Sequence, residues 1–399
     1  MKLIHTGDWH IGQTFFEYDR KEEHLRFLTW LKEQVQTLSA DVLLIAGDVF
    51  DGPNPSAESQ KIFYKFLREV TAENPNLQII IIAGNHDSAA RLEAPDPLLE
   101  EMNISVRGSV KRTPDGEIDF EHLIIPITRN EETIAWCLAV PYLRRGDYPE
   151  AEKYELGIQK MYEELHRRVP DKTKPIVAMG HLQATGSEIS ENDRSERTVI
   201  GGLECVSPDS FSTEFAYTAL GHLHRAQRVS KRENVRYAGA PLPMSFSEKN
   251  NKQGISFVEI SKDETIIRHI EFDVPVKLIG IPKEPKPLRE VLEEIDLLPD
   301  GAITCDSPYL EIKVLISEPE PSLRYQTEEA LKGKSVRLAR IAAVMPEKIG
   351  ETKTITYDEL QTIDPMEIAA DIFKRRYGGE EMPGEMKKLL QTVIQEIER

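Results

Sequence analysis

Five short segments of this chain carry side chains able to hold a cation, and each follows an apolar run. They are Asp8-Trp9-His10, Gly47-Asp48-Val49-Phe50-Asp51, Gly84-Asn85-His86-Asp87, Gly180-His181 and Gly221-His222-Leu223-His224. Four share one grammar: an apolar strand, a glycine, then a ligand-type residue. Glycine permits a tight turn and close backbone approach, so the next side chain can be aimed at one point. Half of the ten histidines fall in these segments, a concentration that packing does not explain. Singly, each has a plainer reading. An Asp after a strand is commonly a turn or a helix cap, GNHD can be an Asx turn, and the His-Leu-His of GHLH can be a half-buried strand end. Jointly, carboxylate, imidazole and amide-oxygen donors without a thiolate suit Mn²⁺, with iron or zinc as other occupants. Two such ions roughly 3.5–4 Å apart can clamp the attacking and leaving oxygens of a phosphodiester and activate a water between them. Trp9 and Phe50 read as packing walls.

The elements that must position these residues alternate strand, polar loop and helix. KLIHTGD is a strand running into a turn. From Glu22 to Leu38, Leu25, Leu28, Leu31, Val35 and Leu38 recur at near-helical spacing. DVLLIA (Asp41 to Ala46) is a buried strand leading into GDVFDG, a second helix is expected from Ala57 to Val70, and Leu77 to Ala83 leads into GNHD. Ile176 to Met179 leads into GHLQATG and Ala216 to Leu220 into GHLH, with further strands at Val235 to Ala238 and Gly254 to Ile260. This is an α/β pattern that gathers its loops at the carboxyl ends of strands. The character changes near Phe272. The Pro- and Lys-rich run IPKEPKPL (281–288) reads as a linker or domain entry, and YLEIKVLI (309–316) as an alternating strand. Residues 276–345 are expected to form a small α/β domain after a first domain at 1–275. A tether at 346–364 then leads to two short amphipathic helices at 365–399, with Phe373, Leu389, Leu390, Val393 and Ile394 as their apolar set.

The chain has 399 residues, enough for two or three domains, with 40% apolar and 30% charged residues. Nothing approaches the ~20 apolar residues of a membrane span, and MKLIHTGDWH lacks the apolar run of a secretory signal. Cys137, Cys205 and Cys305 are too few and too scattered for a disulfide framework or a zinc knuckle, which fits a reducing cytoplasm. A net charge of −18 argues against binding nucleic acid by bulk attraction. It leaves a nuclease open, because metals, local basic residues or a basic partner can supply the phosphate contacts. No GxxxxGK[ST] loop is present, so no ATP site is expected here.

The set DxH, GDxxD, GNHD, GH and GHxH resembles the calcineurin-like metallophosphoesterases, whose fold is a β-sandwich flanked by helices. HTGDWHIGQTF, GDVFDGPNPS and the small domain behind the first resemble, more narrowly, the SbcD family of bacterial nuclease subunits, the counterparts of Mre11. The resemblance implies one metal on Asp8, His10, Asp48 and His224, and a second on Asp48, Asn85, His181 and His222, with Asp48 bridging. It places His86 beside the leaving oxygen as proton donor or transition-state stabiliser, and Asp87 behind it as the carboxylate that orients the imidazole, while Asp87 taken by itself also reads as a turn aspartate capping the helix that follows. It also implies a homodimer built on helices of the nuclease domain, with Glu58 to Val70 as candidates. That dimer would bind a coiled-coil ATPase of the SbcC or Rad50 type, docked by the tail helices. Implied activities are 3′–5′ exonuclease on double-stranded DNA and endonuclease on hairpins and single strands, leaving a 3′ hydroxyl and a 5′ phosphate.

A stand-alone phosphoesterase acting on nucleotides, cyclic nucleotides or phosphoproteins shares all seven ligands. The opening IGQTFFE, the small domain and the tail favour the nuclease subunit. A non-catalytic scaffold on the same fold is disfavoured because every ligand and His86 are present. Substrate-contact candidates are Arg144 and Arg145, the group Arg225, Arg228, Lys231 and Arg232, and the rim residues Asn54, Ser56, Ser187 and Glu188. Asp51 is held as a substrate-facing or supporting residue, and His5 as a packed strand residue.

Overall fold

The computed structural model describes residues 1–187, 205–262, 264–318 and 320–345, and beyond these only Phe373, Met382, Pro383, Met386 and Lys387. The expected tether and tail helices therefore lie outside the described residues apart from those five, as does Glu188. The chain divides into two compact units, Met1–Met345 and Pro346–Arg399.

The first unit runs β1 (Lys2–Thr6), α1 (Lys21–Leu38), β2 (Val42–Ala46), α2 (Ala57–Glu73), β3 (Gln78–Ile82), β4 (Ile104–Arg107), β5 (Ile124–Arg129), β6 (Glu132–Ala139) and α3 (Tyr154–Arg168). It continues through β7 (Ile176–His181), β8 (Tyr217–Gly221), β9 (Gln227–Val229), β10 (Arg232–Tyr237), β11 (Gly254–Ile260) and β12 (Thr265–Glu271). Among the described residues these strands form two six-stranded sheets, ordered β12-β11-β1-β2-β3-β4 and β9-β10-β8-β7-β6-β5. Within the first, β1 to β4 run parallel, and within the second, β6, β7, β8 and β10 do.

Period-two alternation explains why the central strands are apolar throughout. Val42, Leu44 and Ala46 of β2 enter a core shared with Val177, Met179 and Ala219 of the second sheet, while Leu43 and Ile45 face α1 and α2. On β7, Ile176 and Ala178 instead join the core that includes Ile158, Met161 and Leu165 of α3. The result is a β-sandwich with helices outside both sheets. The hairpin β5–β6 and helix α3 were not anticipated from the sequence pattern. Asn130 and Glu131 turn that hairpin with φ of 51° and 67°, without the glycine that usually signals such a turn.

A three-stranded parallel sheet follows, built from β13 (Leu278–Lys286), β14 (Tyr309–Leu315) and β15 (Arg337–Val344), with α4 (Leu288–Asp296) and α5 (Leu323–Ala330) in the connections. Val291, Ile295, Leu310, Ile312 and Val314 form its own core. The run 281–288, read as a linker or domain entry, supplies most of β13, the first strand of this sheet. Its prolines are accommodated because β13 is an edge strand whose register shifts between Ile281 and Lys286. A seam joins this sheet to the sandwich. Phe15, Phe246, Val276 and Tyr309 pack together, Tyr18 Oη donates to the Leu338 carbonyl at 3.1 Å, and Tyr309 Oη donates to Glu23 Oε1 at 2.8 Å. No helix among the described residues is long and apolar enough to cross a membrane.

Candidate metal centre

Parallel strands deliver their carboxyl ends to one side, and β1, β2, β3, β7 and β8 bring the five ligand-bearing segments together. The first two segments are laced by backbone hydrogen bonds: Asp8 N–H to Gly47 O at 2.9 Å, His10 N–H to Asp48 O at 3.0 Å and Ile11 N–H to Val49 O at 2.9 Å. Asp8, His10, Asp48 and His222 all sit at positive φ, between 46° and 105°. For residues with a Cβ this is a sparsely populated region costing roughly 1–3 kcal/mol each, which the surrounding contacts must offset. Gly47 holds φ of 91° at a point where a Cβ would lie 2.9 Å from Gly84 Cα and overlap His181 Nδ1. Only glycine lets the second, third and fourth segments approach this closely.

Asp48 stands at the middle. Its Oδ2 lies 3.3 Å from His181 Nε2 and 3.7 Å from His10 Nε2, while Oδ1 accepts the His86 backbone N–H at 2.8 Å. Asn85 Oδ1 is 2.9 Å from His181 Nε2 and 3.1 Å from His222 Nδ1. His181 Nδ1–H donates to the Ala46 carbonyl at 2.9 Å, which leaves its Nε2 lone pair aimed at Asn85 and Asp48. Asp8 Oδ1 accepts the His222 backbone N–H at 2.9 Å. His10 and His224 meet edge to face at 5.2 Å between centroids.

Two overlapping donor groups, Asp8-Asp48-His181 and His10-Asp48-His86, each have ligand atoms within 4.8 Å of one another, and both contain Asp48. Asp8 Oδ2 and both ring nitrogens of His10 are buried without a hydrogen-bond partner. Facing lone pairs of this kind are stable only with a proton or a cation among them. Without a cation, protons carry that load. Burial alone would lower His181, but the charges of Asp48 and then Asp8 hold it at about 9. His222 is driven down to about 3 by burial and then by His181. Burial likewise raises the Asp8 carboxyl, whereas Asp48, despite its burial, is held below the ordinary carboxylate range by His181. The donor set fits divalent cations.

His86 is half-buried at the edge of the centre, 4.8 Å from the His10 ring. Its imidazole partner is not Asp87, as the sequence reading expects, but the Asp51 carbonyl, 3.0 Å from Nδ1. Asp87 is buried and turned the other way, where it accepts backbone N–H groups from Gly84 at 2.9 Å, Phe50 at 3.0 Å and Val49 at 3.2 Å. Both carboxylate oxygens are spent on tying the second segment to the third. Its pKa is raised to about 6 by burial and by Asp48. Asp51 also approaches His10, with Oδ1 at 3.4 Å from Nδ1.

Glu248 escaped the sequence reading. It is 2% exposed, and its Oε1 lies 3.5 Å from His224 Nδ1. Nothing local signals it: it is one Glu in the polar stretch SFSEK, 24 residues past its partner.

The substrate-contact candidates divide. The Arg144 guanidinium lies over the Tyr142 ring at 5.8 Å, and that ring in turn meets His181 at 6.2 Å, so Arg144 borders the centre. Arg145 and Arg225 are exposed. Arg228 pairs with Glu233, and Arg232 binds the carbonyls of Pro208, Phe211 and Ser212 at 2.6–3.1 Å, a structural role. Ser56 caps α2 by accepting from Ser59 N–H at 3.0 Å, Asn54 is exposed, and Ser187 is half-buried. His5 is packed, 2.9 Å from Tyr217 Oη.

Residues 1–226 match the calcineurin-like phosphoesterase family, and residues 274–378 match the type 5 capsule protein repressor C-terminal domain. The SbcD subunit of nuclease SbcCD from Rhodobacter capsulatus is 36% identical over 87% of this chain and 88% of its own length. Its namesake from Escherichia coli K12 is 28% identical over 99% and 97%, and that from Bacillus subtilis 31% identical over 66% and 67%. A solved structure, Pseudomonas putida nuclease MPE, aligns with 46% of this chain and 64% of its own at 16% identity and a TM-score of 0.20, too distant to bear on the fold. The sandwich, the clustered donors and these likenesses agree: this chain belongs to the calcineurin-like phosphoesterases and, within them, to the SbcD family of metal-dependent nuclease subunits.

Proposed function

We propose that this chain is a Mn²⁺-dependent DNA nuclease subunit that works as an exonuclease on double-stranded ends, in the 3′–5′ direction, and as an endonuclease on hairpins and single strands. The observation that carries the reading is the clustering of Asp8, His10, His86 and His181 donors around Asp48, with Asp8 Oδ2 and His10 Nε2 buried without a hydrogen-bond partner. Asp8, His10, Asp48 and His224 would hold one cation, and Asp48, Asn85, His181 and His222 the other. When bound, the pair supplies Lewis acidity toward the phosphate and acidifies the attacking water.

The chain's own groups do the rest. The Asp48 carboxylate stands between the two donor sets and keeps them in register. The Ala46 carbonyl fixes the His181 tautomer. His86 donates from Nδ1 to the Asp51 carbonyl and keeps Nε2 to hold or give a proton at the leaving 3′ oxygen. Asp87 acts one step back, holding the His86 segment against the Asp48 segment.

The relatives carry a name that places them in an SbcCD complex. We extend this to a homodimer, formed through helices of the nuclease domain and bound to an SbcC or Rad50-type coiled-coil ATPase as a heterotetramer in the cytoplasm, on nucleoid DNA. The small unit at 276–345 would present DNA, and the tail at 365–399, beyond a linker at 346–364, would dock on the ATPase. A net charge of −18 makes that partner the main source of DNA affinity.

The test is cleavage of a short DNA hairpin and of a small chromogenic phosphodiester by purified chain with Mn²⁺, with His86→Ala as control. Hairpin cleavage lost in the variant supports the nuclease reading. Small-ester turnover with no DNA cut, even after the ATPase is added, returns the chain to a stand-alone phosphoesterase.

A further inference from the structure

Behind His224 lies a buried carboxylate to which no role has been assigned. Glu248 is 2% exposed, in a short 3-10 turn (Phe246–Glu248). Its Oε2 accepts the Met244 backbone N–H at 2.9 Å, and Ser245 Oγ donates to Oε1 at 3.3 Å. Oε1 faces His224 Nδ1 at 3.5 Å. A carboxylate this deeply buried is costly unless it meets donors, and here the imidazole stands beside the two groups of its own turn. A ligating imidazole that gives its other N–H to a carboxylate has its tautomer and ring direction set and its basicity raised. An Nδ1–H given to Glu248 leaves the His224 lone pair on Nε2.

The turn that carries Glu248 is itself anchored from two sides. Phe246 packs in the seam with Phe15 and Tyr309, and Arg20 donates to the Pro243 carbonyl at 2.7 Å. We propose that Glu248 is a positioning residue for His224, so that the affinity of one of the two cation sites depends on it while the other does not. This rests on the reading of the centre as a two-cation site.

The experiment is Mn²⁺ titration by calorimetry of the full-length chain, its E248Q and E248D variants, and circular dichroism of each without metal. Gln offers one acceptor where Glu offers two, so it cannot serve both Met244 N–H and His224. The wild type is expected to bind two ions. E248Q should fold, bind one ion as the wild type does, and bind the other about 10–100-fold more weakly. E248D keeps the charge and should recover part of that loss.

Failure of the wild type to bind a pair of ions overturns the two-cation reading and this inference with it. A wild-type pair with E248Q unchanged, or weakened equally at both sites, overturns the inference and leaves the reading standing. Loss of folding in both variants overturns it as well, by making Glu248 a residue of the fold.

Discussion

Gly84 and Gly7 occupy equivalent places in the sequence, each at the end of an apolar strand and just before a candidate ligand, yet the structure predicts opposite responses to alanine. A Cβ on Gly84 would lie 2.6 Å from Asp48 Cγ and would also overlap Asp48 Oδ1 and its backbone N. A Cβ on Gly7 would meet Ala46 no closer than 3.4 Å. In Gly84→Ala the Asp48 carboxylate must therefore retreat by roughly 1 Å to reach ordinary van der Waals contact. Overpacking of this kind costs about 1–3 kcal/mol. A displacement of about 1 Å at reacting groups costs on the order of 100-fold in rate. Because Asp48 stands between both donor sets, the rate should fall further than the stability loss accounts for. Hairpin cleavage with saturating Mn²⁺, read beside urea denaturation of the metal-free chain, separates the two effects. Gly7→Ala should stay within a few-fold of wild type in both. Wild-type cleavage by Gly84→Ala, or equal damage from the two substitutions, would refute the argument that Asp48 is held by close backbone approach.

Three further outcomes follow from the same geometry. Asp87→Asn keeps one acceptor oxygen for three backbone donors and turns an N–H toward them, so the metal-free chain should lose about 1–3 kcal/mol in urea denaturation; an unchanged midpoint would contradict the clamp. His24 is fully buried, 2.9 Å from the Trp9 carbonyl, and its pKa is lowered to about 4 by burial and then by Arg20. The unfolded chain binds that proton near 6.5, so the His24 contribution is present above about pH 6.5 and is lost as pH falls toward 4, on the order of 3 kcal/mol in total. His24→Gln should flatten the pH dependence of stability by about one proton in that window, and identical slopes with a metal chelator present would sink the claim. Tyr309→Phe removes the hydroxyl that donates to buried Glu23 across the seam at 2.8 Å. It should cost about 1–3 kcal/mol in denaturation while leaving Mn²⁺ affinity unaltered, and a loss of metal binding would show that the seam reaches the centre.

What could be read from the chain alone was whatever is encoded over a few consecutive residues. Gly47-Asp48, Gly84-Asn85 and Gly221-His222 declare themselves because a strand, its turn and the side chain it aims are neighbours in sequence. Helix α1 and strands β2 and β3 declare themselves through unbroken periodicity or an unbroken apolar run, since both faces of a central parallel strand are buried. The prolines of 281–288 left linker and domain entry both open for the same local reason: they disfavour a central strand, and only the edge position of β13 makes them acceptable.

The tertiary structure decided everything that depends on an approach across many residues. It turned Asp87 away from His86 and onto the backbone of Val49 and Phe50, because three unpaired buried N–H groups need an anion more than an exposed-edge imidazole does. It removed Arg232 from the substrate candidates by giving it three carbonyls. It also put Glu248 behind His224. Residue types and short spacings specified which atoms are available to bind cations. Which groups hold those atoms in place was settled only when two sheets, a seam and a buried turn closed around them, since burial and hydrogen-bond partnership are properties of the packed chain.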